Sequence, residues 1–171
     1  MTDRILALYL RMIDFDAGEP RLIQHFTKVH AYAALIAGSE GLDRPAAEVL
    51  EAAALVHDIA IPLCESKYGS HTGPQQEKEG PALARAMLAD LPFSEAETDR
   101  VCRLVGEHHT LSPVDGPDHQ ILLDADFLVN CFEHGDNPEA NAVTLDKVFR
   151  TGTGRRIFAA MFGIREGEAG A

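Results

Sequence analysis

Residues 46–58, "AAEVLEAAALVHD", are apolar on nearly every side. A helix of that composition has no wetted face to offer and must be surrounded by other elements. The segment ends on two ionisable residues, His57 and Asp58, and Ile59 and Ile61 keep the following chain greasy. Burying such groups is costly unless they find partners. The rest of the chain must therefore supply both an apolar coat and a set of polar partners for this pair.

The coat reads as helices. Ile5, Leu6, Tyr9, Met12 and Ile13 recur at helical spacing over 3–15. A second helix follows Pro20, with Leu22, Ile23, Phe26, Val29, Ala33 and Ile36 on one face, and stops near Gly38 and Gly41. Pro62 ends the central helix. Residues 62–80 then turn polar, as a long functional loop would. Pro81 opens the next helix, which runs to about Leu91. "SEAE" at 94–97 is a capping-box signature that launches a helix through Val101, Leu104 and Val105 to His108. Residues 119–134 carry Ile121, Leu122, Ala125, Leu128, Val129 and Phe132 on one stripe that Gly135 terminates. "RTGTGRR" marks a break before a last helix at 157–162, and with no strand before it this is a turn rather than a phosphate cradle. No segment reads as strand, so the class is all-α.

A length of 171 residues suits one domain spanning 1–171 with a substantial core. No apolar run approaches the roughly 20 residues of a membrane span. The first 16 residues mix charges into their apolar stretch, unlike a secretion signal. Cys64, Cys102 and Cys131 form no CxxC pair, which fits small core residues in a reducing cytoplasm. Fifteen basic against 27 acidic residues give a net charge of −12, which argues against long nucleic-acid partners. A small anionic ligand is still compatible, because a bound metal can reverse the local field. The oligomeric state stays open, with a homodimer among the alternatives.

Histidine nitrogens and carboxylate oxygens are natural ligands for divalent ions. His57 and Asp58 cannot complete a coordination shell alone. Further donors stand at His25 or His30, at His108 and His109, and at Asp124 or Asp126. Amphipathicity favours His30 as the inward residue of its helix, with His25 at the flank. Asp124 and Asp126 flank their stripe about equally, so periodicity leaves that pair open.

"HFTKV" (25–29), "AALVHDIAI" (53–61), "VGEHHT" (105–110) and "LLDADFLVN" (122–130), in this order, resemble the successive motifs of the HD-domain phosphohydrolase superfamily, in particular its small stand-alone bacterial members. The resemblance covers 20–135 and implies a compact helical bundle on which the helices at 3–15 and 157–162 pack. It further implies a divalent metal (Mn, Fe, Zn, Co, Ni or Mg), one ion or two, and hydrolysis of a phosphate ester of a small molecule such as a nucleotide. It selects His25, four positions before Val29, and Asp126, which follows Ala and precedes a hydrophobic pair. The implied ligands are thus His25, His57, Asp58 and Asp126, with His30 and Asp124 behind them. His108 and His109 resemble the extra ligands of two-metal members. Those members also carry a histidine near the start of the preceding helix, where this chain offers Gly80 and the carboxylate of Glu79. The GYP signature of the cyclic-dinucleotide branch is missing after His109. In the polar loop, Lys67 is placed to contact phosphate and Glu65 or His71 to move protons. The alternatives to a hydrolase are an HD-like di-iron oxygenase and a catalytically silent nucleotide sensor.

Overall fold

The computed structural model describes residues 1–135 and 137–164. Its helices are α1 (Asp3–Phe15), α2 (Pro20–Ser39), α3 (Arg44–Val56), α4 (Ile61–Tyr68), α5 (Gly73–Leu88), α6 (Glu95–Glu107), α7 (Gly116–Glu133), α8 (Pro138–Lys147) and α9 (Gly152–Phe162), and no strand occurs among the described residues. The all-α reading holds. The uniformly apolar α3 lies at the centre, with α1, α2, α6 and α7 packed around it. Its residues Val49, Leu50, Ala52, Ala53, Ala54, Leu55 and Val56 are all buried. The alanines let four neighbours approach closely without leaving voids, as close packing requires. One contiguous apolar cluster joins this helix to Phe26, Val29, Val105, Leu122 and Phe158.

Three sequence expectations are corrected. Residues 62–80 are not a loop: Pro62 stands in the first turn of α4, and α5 begins at Gly73, leaving only a short connection around His71. Thr72 and Gln75 form the capping box that starts α5. Pro81 lies inside α5 rather than at its start, and its carbonyl accepts the Cys102 thiol at 3.3 Å. The α5–α6 approach is so close that a Cβ on Gly80 would come within 2.7 Å of Val105 Cγ1. The third correction is at the far end. Helix α8 has no counterpart in the sequence reading, and α9 starts at Gly152, with the Thr151 hydroxyl capping Gly154 N at 2.9 Å.

Candidate metal centre

Helices α3 and α6 end in the same way. His57 follows the last residue of α3 and donates Nδ1–H to Ala54 O at 2.9 Å. His108 follows α6 and donates Nδ1–H to Val105 O at 2.7 Å. Each ring thereby satisfies a terminal carbonyl of its own helix. Because a carbonyl can only accept, Nδ1 carries a proton, and Nε2 is the ring nitrogen that faces the interior, where a metal could take it. His25 on α2 is held comparably, with Nδ1 2.8 Å from Glu133 Oε2.

The three Nε2 atoms converge with two carboxylates. His25 Nε2 lies 3.2 Å from His57 Nε2, 3.3 Å from Asp58 Oδ2 and 3.2 Å from Asp126 Oδ1. His57 Nε2 lies 3.5 Å from both Asp58 Oδ2 and Asp126 Oδ1. Donors about 2.1 Å from a shared ion stand roughly 3.0–3.4 Å apart; His25, His57 and Asp58 form one group of donors close enough to share an ion, with Asp126 Oδ1 beside both histidines. The second oxygen of Asp58 turns the other way, 3.4 Å from His108 Nε2. Asp58, His108 and His109 form a second donor group that shares Asp58 with the first. Asp126 Oδ1 and His108 Nε2 are buried without a properly formed hydrogen bond. Orphaned buried acceptors are rare and call for a partner. A divalent cation fits both.

Electrostatics favours a cation here. Burial opposes ionisation of Asp58 and Asp126, but the histidines around them hold both carboxyl groups well below the usual range. Burial likewise opposes a charge on His25, and the carboxylates of Asp126, Asp58 and Glu133 overcome it and hold its pKa up at about 9. His108 is raised against burial by Asp58 and Asp126. His109 is lowered by its burial and by the neighbouring His108. A pocket that attracts protons this strongly attracts metal ions for the same reason, and the two compete.

The other residues singled out in the sequence fall in three places. His30 Nε2 pairs with Glu51 Oε2 at 3.0 Å, edge-on to Tyr9, and so links α2, α3 and α1. Asp124 accepts from Gln120 Nε2 at 2.7 Å and from the Thr151 hydroxyl at 2.6 Å, tying α7 to the start of α9. Glu65 and His71 line a cleft of about 630 Å3 beside the donor group, with His71 Nδ1 3.0 Å from Glu65 Oε1. Lys67 is not among the residues lining that cleft; its Nζ lies 2.9 Å from Glu79 Oε1, which also accepts the Tyr68 hydroxyl at 2.6 Å. Glu79 is thus engaged toward α4, while the second donor group comprises Asp58, His108 and His109. The inward residue of the first turns of α5 is Gln76, buried and lining the cleft.

Sequence reasoning missed Gln76 and Glu133. Glu133 follows Asp126 by seven residues, two turns of one helix, so the spacing that places both on one face was available. The capping box at Thr72 would have put Gln76 in the first turn of α5.

The HD-domain family model matches residues 22–140. The chain belongs to the HD-domain family. This HD domain is similar to a crystal structure of a predicted HD superfamily hydrolase from an uncultured Thermotogales bacterium, with a TM-score of 0.65 and 26% sequence identity over 93% of this chain and 83% of that one. No curated protein sequence matches significantly. The matched span of the HD domain contains all the donors described above, from His25 to Asp126. No helix among its described residues is long and apolar enough to cross a membrane.

Proposed function

We propose that the protein is a metal-dependent phosphohydrolase that cleaves a phosphate ester of a small molecule, with nucleotides the class the family resemblance favours. The observation that carries this reading is the approach of Asp58 Oδ2 and Asp126 Oδ1 to His25 Nε2 and His57 Nε2 at 3.2–3.5 Å, beside an open cleft that His25 and Asp58 line. Family membership and the hydrolase neighbour support the same class. His25, His57, Asp58 and Asp126 would hold a divalent ion, which when bound would supply an activated water and polarise a phosphoryl oxygen.

The protein's own groups do the rest. Glu133 and the Ala54 carbonyl keep the rings of His25 and His57 oriented with Nε2 inward. Asp58 and Asp126, ionised at neutral pH, supply the compensating charge. The Glu65–His71 pair stands at the rim of the cleft and can deliver a proton to a leaving oxygen. Lys67, turned away to Glu79, has no role in this scheme.

The Asp58 Oδ1–His108 Nε2 contact favours a second ion, which Asp58, His108 and His109 would hold. Metal analysis of protein purified without chelators, with phosphate release from p-nitrophenyl phosphate, tests the main reading. Bound metal and metal-dependent release are expected, and a metal-free protein that regains no activity with any divalent ion contradicts it. Loss of one equivalent of metal in His108→Ala is the outcome expected of a two-ion centre.

A further inference from the structure

The cleft beside the donor group is poor in positive charge, and this bears on which phosphate ester the proposed hydrolase takes. Among its lining residues Arg21 is the one permanent cation, set against Glu19, Glu65 and Glu133 besides Asp58. Pairing removes most of these charges. Glu133 lies 2.8 Å from His25 Nδ1 and 2.5 Å from Lys28 Nζ, and Glu65 lies 3.0 Å from His71. Lys67, on α4 after the Asp58 segment, is spent on Glu79. Arg21 and Glu19, two residues apart at the start of α2, have no side-chain ion pair or hydrogen bond. Arg21 also lines an adjoining lobe of about 500 Å3 with Gln24 and Lys28, so it borders both cavities.

The charge count limits the substrate. One divalent ion is neutralised by Asp58 and Asp126; two ions would leave an excess of about two positive charges, roughly that of one phosphate group at pH 7. Beyond the metal centre only Arg21 remains to compensate more. A nucleoside triphosphate brings further charges along its tail, and in this cleft they would meet the unpaired Glu19, a like charge that repels at close range. A single phosphoryl group, by contrast, matches one planar guanidinium, which binds phosphate oxygens in a two-pronged fork. An unpaired carboxylate such as Glu19 suits hydroxyl or amino hydrogens.

We infer that the substrate is a phosphate monoester of a hydroxyl- or amino-bearing small molecule, gripped through its one phosphoryl group by Arg21 and through its organic part by Glu19. Nucleoside diphosphates and triphosphates are disfavoured. In the reaction the bond from phosphorus to the ester oxygen breaks and water oxygen bonds phosphorus. A proton from the water ends on the leaving oxygen, giving an alcohol and inorganic phosphate. A nucleoside monophosphate and a sugar phosphate share this chemistry.

The test measures kcat/KM of the Mn-loaded full chain for p-nitrophenyl phosphate, for one nucleoside as its mono-, di- and triphosphate, and for a panel of sugar phosphates. The monophosphate is expected to exceed the triphosphate by tenfold to a hundredfold or more, roughly the effect of one or two like-charge contacts. A higher value for the nucleotide or for a sugar phosphate identifies which organic part Glu19 meets. Arg21→Ala should raise KM for the preferred monophosphate by about tenfold to a hundredfold, with Arg21→Lys recovering part of the loss. Glu19→Gln should narrow the gap between mono- and triphosphate. Turnover of the triphosphate equal to that of the monophosphate, or an unchanged KM in Arg21→Ala, overturns the inference while release from p-nitrophenyl phosphate leaves the phosphohydrolase reading standing. Absence of hydrolysis for every ester overturns both.

Discussion

Glu133 Oε2 stands 2.8 Å from His25 Nδ1, although 108 residues separate the two in the chain. The carboxylate lies behind the ring, opposite the Nε2 atom that faces Asp58 and Asp126, and Lys28 Nζ anchors its other oxygen at 2.5 Å. Such a carboxylate fixes ring orientation and raises the donor strength of the far nitrogen.

Replacing it should therefore weaken metal binding without removing a ligand. Glu133→Gln is expected to lower metal affinity about 10–100-fold, as losses behind a ligand do. Titration against a competing chelator reads this directly. Affinity equal to wild type would show that His25 needs no such support.

His30 and Asp124 should behave as structural residues, in contrast to His25 and Asp126. His30→Ala leaves Glu51 half-buried without its partner, and Asp124→Ala strands the donors of Gln120 and Thr151. Each loss should cost about 1–3 kcal/mol in urea unfolding of the metal-free protein. Metal content should stay at the wild-type level in both, while His25→Ala and Asp126→Ala lose metal. The reverse pattern would move the donor set to the other member of each pair.

Asp16 gives the pH prediction. Its side chain is buried, Oδ1 has no hydrogen bond, and burial, then Asp58 and Glu19, push its pKa up to about 6. An acid whose folded pKa is raised disfavours folding once ionised. The penalty is absent below the ordinary value near 4, grows through 6 and is complete above it. Asp16→Asn should thus stabilise the metal-free protein at pH 7 by about 1–2 kcal/mol, with nearby solvent screening taken into account, and the gain should vanish by pH 4. Unfolding curves at the two pH values measure it. A gain independent of pH would assign the effect to packing instead.

Much of this architecture is written in local patterns. Helix α1 coincides with the apolar spacing over 3–15, and Ser94 with Glu97 marks the start of α6 through a capping box that the structure forms. The error at 62–80 has a physical origin: α4 exposes most of its residues, and the first half of α5 buries only Gln76 and Gly80, so neither shows the apolar stripe that reveals a helix. Pro81 compounded it, since a proline inside a helix imitates one that begins a helix. That misplaced start put Glu79 rather than Gln76 toward the cleft. In the site, residue types and order were legible at His57 and Asp58, whereas the pairing of His25 with Glu133 depends on how α2 packs against α7, which no local pattern carries.

The central claim is that His25, His57, Asp58 and Asp126 together hold a divalent ion in the folded protein. Thermal unfolding of chelator-stripped protein, with and without each of Mn, Fe(II), Zn, Co, Ni and Mg, tests it most directly when wild type is compared with His57→Ala and Asp58→Ala. An ion at a hundred times its dissociation constant stabilises a native state by about 2.7 kcal/mol. For a chain of this size, that is a rise in Tm of roughly 5–10 °C. The wild type should show this rise with at least one ion, and both variants should lose it. No rise with any ion in the wild type, or an equal rise in the variants, would contradict the claim.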